Sequence, residues 1–471
     1  MSRTNPTEGR RRPASRVSLL QLTPTRRELR AVLALAFPVA TVQVGMMFMG
    51  VVDTVMVGHF SARDLAAVAL GNLYFFTAVV FPMGLLMSLD PLVSQAVGAG
   101  DRPAISRALQ RGGLLALCLS VPVGLALVPG NYLLSVLRQP PEVVPVAAGY
   151  ALASIPGIFP FLAFIVLRQT LQAMSRVAPI VVTIILANLA NVFFNWVLIF
   201  GNLGSPTLGA VGTGWASSLS RWLMLIGLLG FSWPLLRGYI RPFRPDAFLL
   251  RPLARMVRLG APIGIQFGLE FGAFGAIGIL MGWLGAIAMA GHQVAINLAS
   301  LTFMVPLGIS QASAILVGQS VGRGDPGGAR RAAGSGLLLG VAFMVLTAFL
   351  FRFLPDFFAG IYTDEEEVLA LAAMLIPLAG LFQVFDGLQV VASGVLRGVG
   401  DTRSPMILNL LGFWFLGMPV SVWMGFRTPA GPVGLWWGLV VGLAAVAVLL
   451  LWRIRTHMGT DLRRIVIDDV E

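Results

Sequence analysis

The stretch 262–285, PIGIQFGLEFGAFGAIGILMGWLG, decides how this chain is read. It is apolar from end to end except for Gln266 and Glu270. At ~1.5 Å rise per residue it reaches roughly 36 Å as a helix, enough to cross a hydrocarbon core of about 30 Å. Glu270 then falls near mid-membrane, where an ionisable side chain is costly and marks a candidate functional site.

Working outward, the whole chain has the same character. Of its 471 residues, 57% are hydrophobic and 11% charged, with mean hydropathy +0.84. Soluble domains carry about 25% charged residues. Apolar runs of spanning length recur at about 31–58, 66–98, 112–137, 142–166, 178–200, 207–236, 256–285, 288–318, 333–354, 366–396, 405–426 and 432–452. The expected fold is an all-α polytopic membrane protein with twelve transmembrane helices.

The net charge of +12 is carried by arginine alone, for the chain contains no lysine. All the arginines except Arg63, Arg138, Arg221, Arg352 and Arg427 fall in the amino-terminal tail, the even-numbered loops or the carboxyl-terminal tail, or directly beside them. That pattern is the positive-inside bias of a membrane protein, so both termini are expected in the cytoplasm and no nucleic-acid partner is expected. Residues 1–30 contain no short apolar run with a cleavage site, and read as a retained basic tail. Cys118 is the one cysteine, which rules out an intramolecular disulfide and suggests a small core residue. The histidines His59, His292 and His457 are scattered, and His292 is expected at the membrane interface. Neither a metal cluster nor a nucleophile–base pair can be built from these, so no structural metal, no cofactor and no enzymatic activity are expected.

The chain is also written twice. An offset of 224 (262 − 38) maps Pro38 onto Pro262, Pro82-Met83-Gly84 onto Pro306-Leu307-Gly308, Gln95 onto Gln319, and Gly98-Ala99-Gly100-Asp101 onto Gly322-Arg323-Gly324-Asp325. Further on the register drifts by about two residues, taking Pro179 to Pro405 and Gly212 to Gly434. Each unit holds six spans, an even number, so both copies enter the membrane the same way round. Such repeats are related by an axis along the membrane normal, with a site between them. The expected organisation is a tail at 1–30, an amino-terminal lobe at 31–237, a linker at 238–255, a carboxyl-terminal lobe at 256–453 and a tail at 454–471.

Charges that break the repeat show where the halves differ. Glu270 corresponds to Met46, and Asp53 to Ile277. Glu270 lies roughly 18 Å from the cytoplasmic end of its span and Asp386, in FQVFDGLQ, roughly 16 Å from the end of its own. Two acids at matched depth in one half suit a shared proton or a flanked hard cation such as sodium. Gln266 and Gln383 are their polar neighbours. Asp53 lies toward the outer end of span one; Asn191 and Asn195 sit one turn apart on span five, roughly 20 and 26 Å from its cytoplasmic end. Together they form a second candidate polar pocket. Arg221 is expected to be the lone arginine deep in a span, in a structural or tuning role, and Asp90 is expected to be wetted near the cytoplasmic end of span two.

With these residues in place the chain resembles the MATE family of multidrug and toxic compound extrusion transporters, most closely its bacterial NorM-like branch. The resemblance runs from about residue 31 to 455. It is carried by AFPVATVQVGMMFMGVVDTVMVG in span one, LVSQAVGAGD, NVFFNWVLIFG, LVGQSVGRGD and VFDGLQVVASGVLRGVGDTRSP. It implies two six-helix lobes around a cleft, and export of small cationic or amphiphilic compounds against inward Na+ or H+ by a multi-pass protein of the bacterial inner membrane, acting as a monomer among membrane lipid. By position it implies a coupling role for Glu270 and Asp386 and a polar ion site at Asp53, Asn191 and Asn195. Some sodium-coupled relatives carry a tyrosine four residues before the span-ten aspartate, where this chain has Phe382. The alternative reading is a flippase for lipid-linked oligosaccharide or peptidoglycan precursors, whose anionic cargo asks for several cleft-facing cations.

Overall fold

The structure is a computed structural model and describes residues 23–459 and 462–468. Among the described residues every regular element is a helix. Twelve are long and apolar enough to cross a membrane: α1 (Arg26–Gly58), α2 (Ala62–Gly98), α3 (Arg102–Leu127), α4 (Val144–Ala173), α5 (Ala178–Phe200), α6 (Gly209–Ile240), α7 (Leu250–Trp283), α8 (Ala286–Gly322), α9 (Pro326–Phe353), α10 (Glu366–Val399), α11 (Arg403–Arg427) and α12 (Gly431–His457). Number and order match the expected spans. Most run further than the apolar stretches that betrayed them, while the expected span 112–137 ends at Leu127 and is completed by a separate short helix, Gly130–Val136. Of the expected basic tail, residues 1–22 lie outside the described residues.

Local chemistry accounts for where helices start and break. Asp101 and Asp325 cap α3 and α9, accepting from Ala104 N at 3.0 Å and Gly328 N at 2.8 Å. Each follows a glycine with positive φ, Gly100 at +69° and Gly324 at +70°, where a side chain would be strained. α2 is interrupted at Met87 and Ser88, so its final segment, Leu89–Gly98, packs separately from the rest. α11 contains a π-helical stretch, Leu410–Gly417.

The two six-helix halves, α1–α6 and α7–α12, meet through contacts that repeat with the sequence offset. A Cβ built on Gly84 of α2 would lie 2.5 Å from Gly264 Cα of α7, and one on Gly308 of α8 would lie 2.8 Å from Ala40 Cβ of α1. Gly84 and Ala40 are the repeat partners of Gly308 and Gly264. Nearer the arginine-rich end, a Cβ on Gly98 would run into the Gln319 carbonyl, and one on Gly322 into that of Gln95. The two glutamines also act alike: Gln95 Nε2 donates to Gly398 O at 2.9 Å and Gln319 Nε2 to Ala173 O at 2.8 Å. The duplicated Gln-x-x-Gly-x-Gly-Asp motifs therefore build one pseudo-twofold seam, with small residues allowing backbone approach.

Burial bears on four expectations and corrects two of them, those for Asp90 and Cys118. Asp90 is buried at 3% exposure and pairs with Arg397 of α10 at 3.4 Å, because the Leu89–Gly98 segment is wedged between the halves. Arg221 is joined by two other cations buried in the protein near the ends of their helices: Arg168 of α4 donates to Gln43 Oε1 at 2.8 Å, and Arg397 of α10 is buried beside Asp90. Cys118 is exposed on α3, since an apolar neighbourhood in a membrane helix can face lipid as readily as core. His292, in the first turns of α8, is buried within the protein and set edge-on to Trp436 with ring centroids 5.7 Å apart.

Candidate functional site

In the first half, α1, α5 and α6 bring three polar groups onto one carboxylate. Asp53 Oδ1 accepts from Asn191 Nδ2 at 3.1 Å and Asn195 Nδ2 at 2.6 Å, and its Oδ2 accepts from Ser217 Oγ at 2.7 Å. Asn195 Nδ2 also reaches Asn191 Oδ1 at 3.2 Å, as amides one turn apart on a helix can. All four side chains are buried. Ser217 was not singled out from sequence, although it stands one turn before Arg221 in SSLSR. Arg221 itself lies with its Cζ 4.1 Å from the ring centre of Phe75 and 5.5 Å from that of Phe161, a cation–π clamp that holds the charge within electrostatic reach of Asp53.

In the second half, Glu270 Oε1 accepts from Gln266 Nε2 at 2.9 Å, one turn earlier on α7, and from Gln389 Nε2 at 2.8 Å on α10. Gln389 donates also to Asn409 Oδ1 at 3.0 Å, and Asn409 Nδ2 donates to Pro405 O at 2.9 Å, just before the π-helical stretch. Asp386 is buried and within electrostatic reach of Glu270. Among the described residues, neither Asp386 oxygen nor Glu270 Oε2 takes a hydrogen bond from the protein. Phe382 is buried edge-on between Phe274, at 5.9 Å, and Trp436, at 5.6 Å. Gln383, expected beside the acids, turns instead to α8, donating to Ala299 O at 2.8 Å and to Thr302 Oγ1. The sequence therefore pointed to the wrong glutamine on α10: Gln389 lies i+3 from Asp386, while Gln383, at i−3, faces the neighbouring helix.

The two clusters differ in kind. Asp53 has a donor on each oxygen and a nearby guanidinium, so most of its lone-pair capacity is met by the protein. The acid pair of the second half keeps three oxygens open. Such a pair is chemically able to hold a shared proton or to supply oxygen ligands to a hard cation.

Two six-helix repeats around a seam, with acids of open oxygens set inside spanning helices, define a polytopic transporter. The MatE family model matches the chain twice, over residues 38–197 and again over 262–423. The chain is 36% identical over 436 residues to the multidrug resistance protein MdtK of Edwardsiella ictaluri, covering 91% of this chain and 95% of that one. It is equally 36% identical over 442 residues to the multidrug resistance protein NorM of Photobacterium profundum, covering 91% and 96%. The chain belongs to the MATE family, and is a membrane transporter rather than an enzyme. The fold agrees with the eukaryotic MATE transporter AtDTX14 at a TM-score of 0.84 and 23% identity, covering 92% of this chain and 97% of that one. A MATE structure in the straight conformation gives 0.83 at 18% identity, covering 94% and 99%.

Proposed function

We propose that this protein is a secondary multidrug exporter that moves small cationic or amphiphilic organic compounds out of the cell against an inward flow of Na+ or H+. Relatives named for multidrug resistance support the substrate class. The observation that carries the coupling is the Glu270–Asp386 pair, the first half-buried and the second buried, which leaves three carboxylate oxygens open for a proton or cation. Both termini lie in the cytoplasm on this reading, as the arginine distribution requires. The seam at Gly98 and Gly322 then closes the cytoplasmic end, and rocking of the lobes at 31–237 and 256–453 about it exchanges access between sides. A coupling ion drives this only if it binds the two states unequally.

The test is dye efflux from proteoliposomes with the sodium and proton gradients imposed separately. Glu270→Gln and Asp386→Asn are each expected to lower gradient-driven efflux at least tenfold; wild-type rates in both would sink the coupling role. The flippase reading gains from Arg168 and Arg397, but both are committed within the protein, Arg397 to Asp90 and Arg168 to Gln43. It stays second unless a lipid-linked precursor binds and Arg221→Ala abolishes that binding.

A further inference from the structure

The segment Leu462–Asp468, beyond the last membrane helix, is tied to both halves at the end where they are pressed together. On the first half, Ile465 N donates to Gln95 Oε1 at 2.7 Å, and Arg464 pairs with Asp101 at 2.7 Å. Asp468 pairs with Arg107 at 2.7 Å and with Arg111 at 2.6 Å. Arg111 is 1% exposed and also holds the linker, donating to Ala247 O at 2.9 Å and Asp246 O at 3.1 Å. On the second half, Arg255 of α7 donates to Ile467 O at 3.1 Å, and the Ile465 side chain covers Gly400, where a Cβ would collide with it. Ile467 is 9% exposed and belongs to the same apolar core as Leu92 and Ala108.

Gln95 makes the arrangement telling. Its amide donates across the seam to Gly398 while its carbonyl accepts from the segment, so one side chain reports on both contacts. The repeat partner Gln319 has the equivalent cross-seam bond, and among the described residues its amide meets Ser175 and no such segment. Among the described residues the segment thus breaks the pseudo-twofold, adding a bond at Gln95 that Gln319 lacks.

We propose that Leu462–Asp468 is a strap that latches the two halves together at this end, and that its detachment is a required step in opening the seam. Spreading the halves moves Gln95, Asp101 and Arg111 away from Arg255 and Gly400, and one seven-residue strap cannot stay bound to both sets. Its own charged side chains, Arg464 and Asp468, are partly exposed, so it can come free without unfolding the helices it crosses. The inference rests on the alternating-access reading above, yet it is tested without transport.

Nitroxide labels placed through Arg102→Cys and Arg323→Cys, in a Cys118→Ser background of the full chain in lipid nanodiscs, read the separation across the seam. Asp468→Asn should raise the population with the longer label distance about threefold, and Asp468→Arg with Arg464→Glu about tenfold. Adding Arg107→Asp to Asp468→Arg should recover part of the short-distance population by restoring an opposite-charge pair. Unchanged distributions in Asp468→Asn and in the reversed variant, both folded by size-exclusion and melting, would overturn the strap. Opening of the seam in these variants without any dye efflux would leave the strap standing and count against the transport reading.

Discussion

At the scale of single residues, the two polar clusters predict different consequences for similar mutations. Gln389, itself buried, gives hydrogen bonds to the half-buried Glu270 carboxylate and to Asn409, and hydrogen bonds to charged groups are each worth about 1.5–3 kcal/mol. Gln389→Leu should therefore weaken the response to the driving ion roughly tenfold while dye affinity measured without a gradient holds steady; equal loss in both would make Gln389 merely structural. Ser217→Ala removes the donor on Asp53 Oδ2. It is expected to lower thermal stability by about 1–2 kcal/mol of unfolding free energy in a melting assay, with Ser217→Thr retaining most of it. The aspartate and the two asparagines could be read from sequence because they are polar among apolar neighbours and the amides are spaced i, i+4. Ser217 and Gln389 could not, since which of several hydroxyls or amides on a helix faces an acid depends on helix rotation.

Among elements, the seam is where sequence and packing agree best. Gly98 and Gly322 are repeat partners whose missing side chains let α2 and α8 approach. Gly98→Leu and Gly322→Leu each overpack it, costing at least about 1–3 kcal/mol. Both should lower the melting temperature and lengthen the distance across the seam; a change in only one of the pair would argue against the pseudo-twofold contact. The loop between α10 and α11 gives a pH effect. Burial opposes charge on Asp401, but hydrogen bonds from Ser404 and the Arg453 pair at 2.7 Å outweigh it and hold the carboxyl below its ordinary value. A carboxyl depressed in the folded state stabilises above its unfolded value of about 3.9, and that contribution disappears as pH falls through the lower folded value. Melting compared at pH 7 and pH 3 should show a gap between wild type and Asp401→Asn at the first pH that narrows at the second. What the sequence did not disclose was the break in α2 at Met87-Ser88 and the π-helical stretch of α11. Both runs read as unbroken apolar helices, and only tertiary packing decides where such a run gives way.

Over the whole molecule, twelve spans and two copies were legible because lipid leaves the backbone few options: each crossing must satisfy its own hydrogen bonds, and a helix does so from local sequence. The pairing between halves was less legible, and Asp90 shows why. Its depth near the end of span two suggested contact with water, yet a partner 307 positions away (397 − 90) removes it from solvent. Asp90 and Arg397 have no charged counterpart by repeat symmetry, since Asp90 corresponds to Ala314, so the closed end owes part of its stability to one asymmetric ion pair. Breaking a buried pair by removing one partner costs about 3–5 kcal/mol, because the other charge is left uncompensated, whereas removing both is often close to neutral. Asp90→Asn and Arg397→Gln should each lower the melting temperature and widen the seam, and the double variant should recover most of the loss in melting. If the two effects simply added, each residue would be acting through other neighbours, and the pair would not be what holds the halves together.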